Sequence, residues 1–211
     1  MEDVLATYEK PYSSAEPVVC LDEKPVVLHA EVRQPLPLRE GQPTRRDYEY
    51  QRCGTANVFC AVEPQAGWHW VQVTAQRTAR DFAAVIREAV EHYPFARTIH
   101  LVLDNLNIHC RKSLVERYGE QEGGYLWSRL TVHYTPKHAS WLNLAEIEVS
   151  LFSRECLGRR RLGDRDTLCR EAKAWAQRAR REHRRIRWSF TRKRAREKFG
   201  YEPLKIKGSR H

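Results

Sequence analysis

Hydrophobic positions in the first half of the chain gather in short β-branched runs, and later ones recur at helical spacing. The run PVVCLDE (17–23), bounded by Pro17 and Pro25, reads as a strand ending on a carboxylate, Asp22. Pro25, Pro35, Pro37, Pro43, Gly41 and Gly54 punctuate residues 24–54, which read as a long connection with at most a short extended piece at 26–32. TANVFCAVEP (55–64) and GWHWVQVTA (67–75) flank a PQAG turn and predict an antiparallel hairpin.

In TARDFAAVIREAVEHY (78–93), Phe82, Val85, Ile86, Ala89, Val90 and Tyr93 share one helical face, Thr78 suits the N-cap and Pro94 lies beyond the end. TIHLVLDN (98–105) predicts a strand that also closes on a carboxylate, Asp104, and RKSLVERYGE (111–120) a short helix stopping at Gly119. LTVHYTP (130–136) is a further strand. NLAEIEVSLFSREC (143–156) is a helix with Leu144, Ile147 and Leu151 as its apolar stripe, flanked by Val149, Phe152 and Cys156. A helix near 165–183, started by Asp164 or Asp166, aligns Leu168, Ala172, Trp175, Ala179 and Ile186 beneath a coat of arginines. Thr191 caps a last short helix, RKRAREKF, stopped at Gly200. This order predicts the α/β class, a mixed sheet flanked by helices.

Composition supports one well-cored domain with an appendage: 211 residues, 41% hydrophobic and 10% aromatic. The net charge of +10 changes the picture once it is divided. Residues 154–211 hold 21 Lys+Arg against 7 Asp+Glu, whereas the rest of the chain holds 16 against 20. A strongly basic extension on a mildly acidic core points to a polyanion met through its phosphates; a solvated arginine-rich helical face is the plainer account. The six cysteines show no CxxC pair and the nine histidines no i, i+4 pair, so neither a disulfide framework nor a zinc site is expected. MEDVLATYEK is acidic, without the apolar core of a signal, and no apolar run approaches membrane-spanning length, so a cytoplasmic protein is expected.

Asp22, Asp104 and Glu146 fall at junctions where an open sheet presents a crevice. Singly, each has a local explanation: the aspartates start turns, and Asn143 with Glu146 forms a capping box. Together they would repel one another unless a cation neutralised them, and hard Mg²⁺ or Mn²⁺ prefers such oxygen ligands. Two such ions about 4 Å apart activate a water or hydroxyl and stabilise the leaving oxygen of a phosphodiester.

VVCLDEKP, GTANVFCAVEPQAGW, LVLDNLNIH and HYTPKHASWLNLAEIEVSLFSRECLGRR together resemble the catalytic domain of DDE-type transposases, in the bacterial insertion-sequence branch of the mariner superfamily. The element order is also that of the ribonuclease-H-like fold. The resemblance spans about residues 1–195 and implies a catalytic domain over 1–157, with a basic helical C-terminal extension over 158–211 packed on the core. By motif, Asp22, Asp104 and Glu146 are the implied catalytic acids, holding two Mg²⁺ or Mn²⁺ ions. Glu148 is the rival third acid, but two residues along a helix turn it roughly 200° away from Glu146, and the asparagine register favours Glu146. The 42-residue interval between the last two acids exceeds the usual one, and YGEQEGGYLWSR is expected to absorb the excess as a surface loop.

Asn105, Asn107, His109 and Asn143 are placed to support the acids or touch a DNA strand; local loop hydrogen bonding accounts equally for the first three. Lys137 and His138 stand where a scissile phosphate needs a positive neighbour. Trp141 either stacks on a base or, as favoured here, seals the core. Arg159, Arg160 and Arg161, in GRRRLGDRD, form the expected phosphate patch, with a solvated helix terminus as the alternative.

The implied function is hydrolysis at element ends followed by attack of the freed 3′ hydroxyl on target DNA. Implied partners are double-stranded DNA at those ends and at TA target sites, and a second copy of the chain. No helix-turn-helix module fits before Asp22, so weak end specificity and a separate upstream helix-turn-helix polypeptide are expected. The competing readings are an inactive DNA-binding remnant and a nuclease of the same fold acting on RNA hybrids or junctions.

Overall fold

The computed structural model describes residues 1–33, 36, 40, 41 and 47–202; residues 203–211 of the expected extension and part of the 24–54 connection lie outside them. Five strands, β1 (Val18–Glu31), β2 (Tyr50–Glu63), β3 (Trp68–Thr74), β4 (Ile99–Leu103) and β5 (Leu130–Tyr134), form one sheet in the order β3-β2-β1-β4-β5. The first three are antiparallel, and β4 and β5 run parallel to β1. The helices are α1 (Glu2–Tyr8), α2 (Ala79–His92), α3 (Arg111–Ser128), α4 (Ala145–Phe152), α5 (Arg165–Arg181) and α6 (Arg192–Phe199). On one face α2 and α3 close a core around Leu21, Phe59, Phe82, Ile86, Leu101 and Leu114. On the other, α4 and α5 cover Val26, Leu28, Val58 and Cys60, while α1 and α6 cover Cys20, Val62 and Val102.

The helix of 78–93 forms as its pattern dictates, with Thr78 and Asp81 bonding reciprocally across its first turn. Asp164 and Thr191 likewise cap α5 and α6, and Gly200 ends α6 in a left-handed conformation. Six expectations need correction. β1 does not end at Asp22 but runs to Glu31, and residues 50–54 belong to β2, so much of the supposed connection is a long antiparallel ribbon. Pro25 is tolerated because β4 leaves β1 after Cys20, opening one edge of the strand. Residues 118–129 are not a surface loop. The chain kinks at Gly119 (φ 80°, ψ 169°) and resumes as helix, burying Leu126. Gly123 permits the return, since a Cβ there would stand 2.6 Å from the Leu114 carbonyl.

In α4 the buried face is Ala145, Glu148 and Phe152, and Ile147 is 40% exposed, so the apolar stripe lies on another face than expected. An acid can occupy that stripe because His69 Nδ1 lies 2.8 Å from Glu148 Oε1, with His69 Nε2 2.8 Å from the Arg184 carbonyl oxygen. Ile186 lies past the end of α5 and packs instead beside Val4, Leu5 and Leu144. Trp141, expected in the core, is 44% exposed.

α1 was not expected, because seven residues carry little periodicity. It is pinned by a directed chain of hydrogen bonds: Lys10 donates to His100 (3.0 Å), His100 to His133 (2.8 Å), and His133 to Asp3 (2.7 Å). Neighbouring parallel strands supply the two histidines, a pairing that sequence spacing hides. All six cysteines are free, and no helix among the described residues is long and apolar enough to cross a membrane.

α5 is held to the turn after α4 through Glu155, which accepts from Trp175 Nε1 (3.0 Å) and Arg184 Nη1 (2.5 Å). These bonds, the Arg184 one foremost, hold its carboxyl below the ordinary 4.5. Glu155→Ala is expected to cost about 2 kcal/mol at neutral pH, measured by urea unfolding. The stabilisation belongs to the ionised form, so it is full above pH 4.5 and fades as pH falls through the lowered value.

Candidate functional site

Alternation along β1 sends Val19 and Leu21 to the α2–α3 side and Cys20, Val26 and Leu28 to the α4–α5 side. Asp22 therefore faces α4, and Glu23 faces α2. Pairing between β1 and β4 covers Val18–Cys20 against His100–Val102 and then stops. Continued by two residues, that register sets Asp22 level with Asp104, where the strands part.

Asn143 brings the third acid in. Fully enclosed, it donates from Nδ2 to the Leu21 carbonyl (2.8 Å) and accepts at Oδ1 from the Ala145 N–H (3.2 Å). This fixes the start of α4 against the residue preceding Asp22. The capping box with Asn143, the alternative account of Glu146, does not form: Leu144 is the N-cap, without a side-chain cap bond, and the Glu146 side chain is exposed. Glu148, by contrast, is fully buried against His69.

Electrostatics register the crowding. Burial above all pushes the Asp22 carboxyl up to about 7, and the negative charges of Glu146, Glu23 and Asp104 push in the same direction. Burial is the largest influence on Asp104 and opposes its charge, but the His109 hydrogen bond (2.8 Å), the charge on that ring and the Leu106 N–H together outweigh it and hold the carboxyl below its ordinary value. Arg77, exposed just before α2, adds to the same effect. His109 is buried between two acceptors, Asp104 on Nδ1 and Glu23 Oε1 on Nε2 (2.7 Å). Burial works against its charge, yet these bonds prevail and raise it to about 9. The Tyr134 hydroxyl donates to its carbonyl (2.6 Å).

An open cleft of about 390 Å³ adjoins Asp104, walled by Asn105, Lys137, His138 and Ser140. Asn107 is exposed on the same loop as Asn105. The arginine patch lies elsewhere. Leu162 and Gly163 sit against His29 and Ala30, about 25 Å along β1 from Asp22 at roughly 3.3 Å per residue. Arg160 pairs with Glu171 (2.7 Å), and Arg161 is bound to Glu31 (2.5 Å) and the carbonyls of Asp47 and Glu49. Those two side chains hold the β1–β2 ribbon and α5; Arg159 is exposed.

Three residues near the acids escaped the sequence reading. Glu23, the partner of His109, was hidden as the neighbour of the aspartate singled out in LDEKP. Lys24 is half-buried on the Asp22 face of β1, with no ion pair among the described residues. Arg77 has no distinguishing motif.

Three carboxylates offer the hard oxygen donors that suit Mg²⁺ or Mn²⁺, and a cation would favour the ionised form of Asp22, which burial first and the neighbouring acids after it disfavour. Among the described residues, however, no three His, Cys, Asp or Glu side chains are drawn tightly enough together to form a ready ligand nest. Asp104 is turned toward His109.

The mixed five-stranded sheet with helices on both faces is a ribonuclease-H-like fold. A family model, the DDE superfamily endonuclease, matches residues 17–169, well over half of the chain, and the chain belongs to that family. Among solved structures it is similar to the Mos1 mariner paired-end complex with Mn, with TM-score 0.50 and 12% identity over 89% of this chain. A pre-cleavage Mos1 transpososome matches with TM-score 0.46 and 12% identity, also over 89% of this chain. This chain spans 61% of the protein chain in each of these structures. No curated protein sequence matches it.

Proposed function

We propose that this chain is the catalytic part of a metal-dependent DNA transposase, cutting a phosphodiester at element ends and joining the freed 3′ hydroxyl to target DNA. One observation carries the reading: Asp22, half-buried where β1 and β4 part, stands level with Asp104 and faces α4, which carries Glu146. Asp22, Asp104 and Glu146 would hold the Mg²⁺ or Mn²⁺, as a pair of ions. Bound there, such ions make a water or 3′ hydroxyl nucleophilic and stabilise the departing oxygen.

The chain's own residues do the rest. His109, locked by Glu23, orients Asp104. Asn143 sets the position of α4 and with it Glu146. Lys24, Arg77, Lys137 and His138 receive the scissile-strand phosphates, with Asn105 and Asn107 beside them. Arg159 and the basic helix α5 would bind flanking duplex. The proposed partners are double-stranded DNA at element ends and TA target sites and a second copy of this chain, in the bacterial cytoplasm near the nucleoid. The Mos1 similarity, to a paired-end complex with Mn, agrees with both the DNA and the metal.

Purified protein is expected to nick supercoiled DNA with Mg²⁺ or Mn²⁺ and not in EDTA; no metal-stimulated nicking under any condition overturns the reading. Metal should also stabilise the fold, by about 2.7 kcal/mol at a hundredfold excess over Kd. In thermal melts that gain should vanish in EDTA and in Glu146→Gln. The lack of a ready ligand nest favours a second reading, a DNA-binding protein without catalysis. DNA retention in EDTA with no metal-dependent cleavage or stabilisation is its signature.

A further inference from the structure

The chain segment that carries Ser140 out of the cleft continues directly into Trp141, whose ring belongs to an aromatic cluster unused by the chemistry above. Trp141 stacks near Trp188 (centroids 6.5 Å apart, planes at 25°) and meets Phe190 at 5.5 Å and Phe199 at 6.3 Å. These rings come from three separate segments: the turn before α4, the stretch between α5 and α6, and the last residue of α6. Folding assembles them, yet Trp141 stays 44% and Phe199 49% exposed. Leaving two large aromatic faces in water forfeits burial that the fold achieves elsewhere, as at the fully buried Phe59, Phe82 and Phe152.

The rim of the cluster is cationic. Lys198 Nζ lies 6.0 Å from the Phe190 ring and 5.9 Å from that of Phe199, and the rest of α6 is Arg- and Lys-rich. Exposed aromatic rings beside the Lys198 ammonium, one residue on from a cleft bearing Lys137 and His138, match a nucleotide strand: the base stacks and its phosphates meet the cations. A base inside a duplex presents no free face, so the occupant must be unpaired.

We propose that Trp141 and Phe199, backed by Trp188 and Phe190, form a stacking platform for an unpaired base of the DNA strand leaving the cleft. This rests on the DNA-processing reading and adds to it a site for single-stranded or frayed ends.

The test is equilibrium binding in EDTA of fluorescein-labelled blunt duplex and of the same duplex with a short 3′ overhang carrying 2-aminopurine. Wild type is expected to favour the overhang and to quench the 2-aminopurine. Trp141→Ala should weaken overhang binding about tenfold with blunt-duplex affinity unchanged, and Trp141→Tyr should restore most of it. Phe199→Ala, altering an exposed helix end, should reproduce part of the loss and decides the matter if Trp141→Ala fails to fold. Equal wild-type affinity for the two DNAs, or equal weakening of both by Trp141→Ala, overturns the platform. So does a preference for single-stranded RNA over the overhang, or loss of self-association as the sole effect of Trp141→Ala. An intact overhang preference without any metal-dependent nicking leaves the platform standing and overturns only the nuclease reading.

Discussion

Asp104→Asn and Glu146→Gln are each expected to lower metal-stimulated nicking about a thousandfold per folded molecule while leaving DNA retention intact. The two substitutions keep shape and remove charge. Asp104 and Glu146 are partly or fully exposed, so neutralising them relieves repulsion on Asp22 rather than opening a cavity. Gel assays of relaxed and linear products measure the loss. Glu148→Gln is the informative contrast: its carboxylate is enclosed against His69, so its replacement should lower unfolding stability before it affects cleavage per folded molecule. Nicking by Glu146→Gln at the wild-type rate would sink the assignment of the third acid.

The second large effect is expected at His109. Its ring and the Glu23 carboxylate are 0% and 1% exposed, so His109→Ala strands a buried acid and should cost about 3–5 kcal/mol. Urea unfolding gives the figure, and a double-mutant cycle with Glu23→Gln should show the two losses to be far from additive. The pH dependence has a definite sign. His109 is raised from an ordinary 6.5 to about 9, so its charged form contributes fully below pH 6.5. The contribution is lost as pH rises through 9, and the stability gap between wild type and His109→Gln should narrow across that interval. A gap that widens there would refute the buried imidazolium.

Much of this architecture is legible in the chain because its strands and helices obey their own periods. The stripe of Phe82, Val85, Ile86, Ala89 and Val90 dictates α2, and the apolar run before Asp104 dictates β4. What misleads is punctuation. Pro25 reads as a strand terminator, yet it lies where one edge of β1 is open. Gly119, Gly123 and Gly124 read as a loop, although one supplies a kink and another a close helix contact. Glu148 in an apolar stripe shows that burial follows from a partner, here His69, that no local pattern announces.

The candidate site divides along the same line. Asp22, Asp104, Glu146 and His109 are visible through their motifs, and Asn143 through its register. Glu23, Lys24 and Arg77 are defined by strand alternation and by the approach of separate elements, which a linear reading does not supply. The arginines at 159–161 drew attention by charge density, but two of them serve as struts.

The bent return of α3 has a consequence for how this family's spacing is read. The chain leaves the sheet after Leu103, doubles back at Gly119 and re-enters as β5 with Leu130 beside Ile99, at the start of the neighbouring parallel strand. Residues added or removed at that bend change the tally between Asp104 and Glu146 without changing the span the two carboxylates must bridge. A count along the polypeptide there measures the size of a detour, and the width of the proposed site is set by how α4 docks on β1.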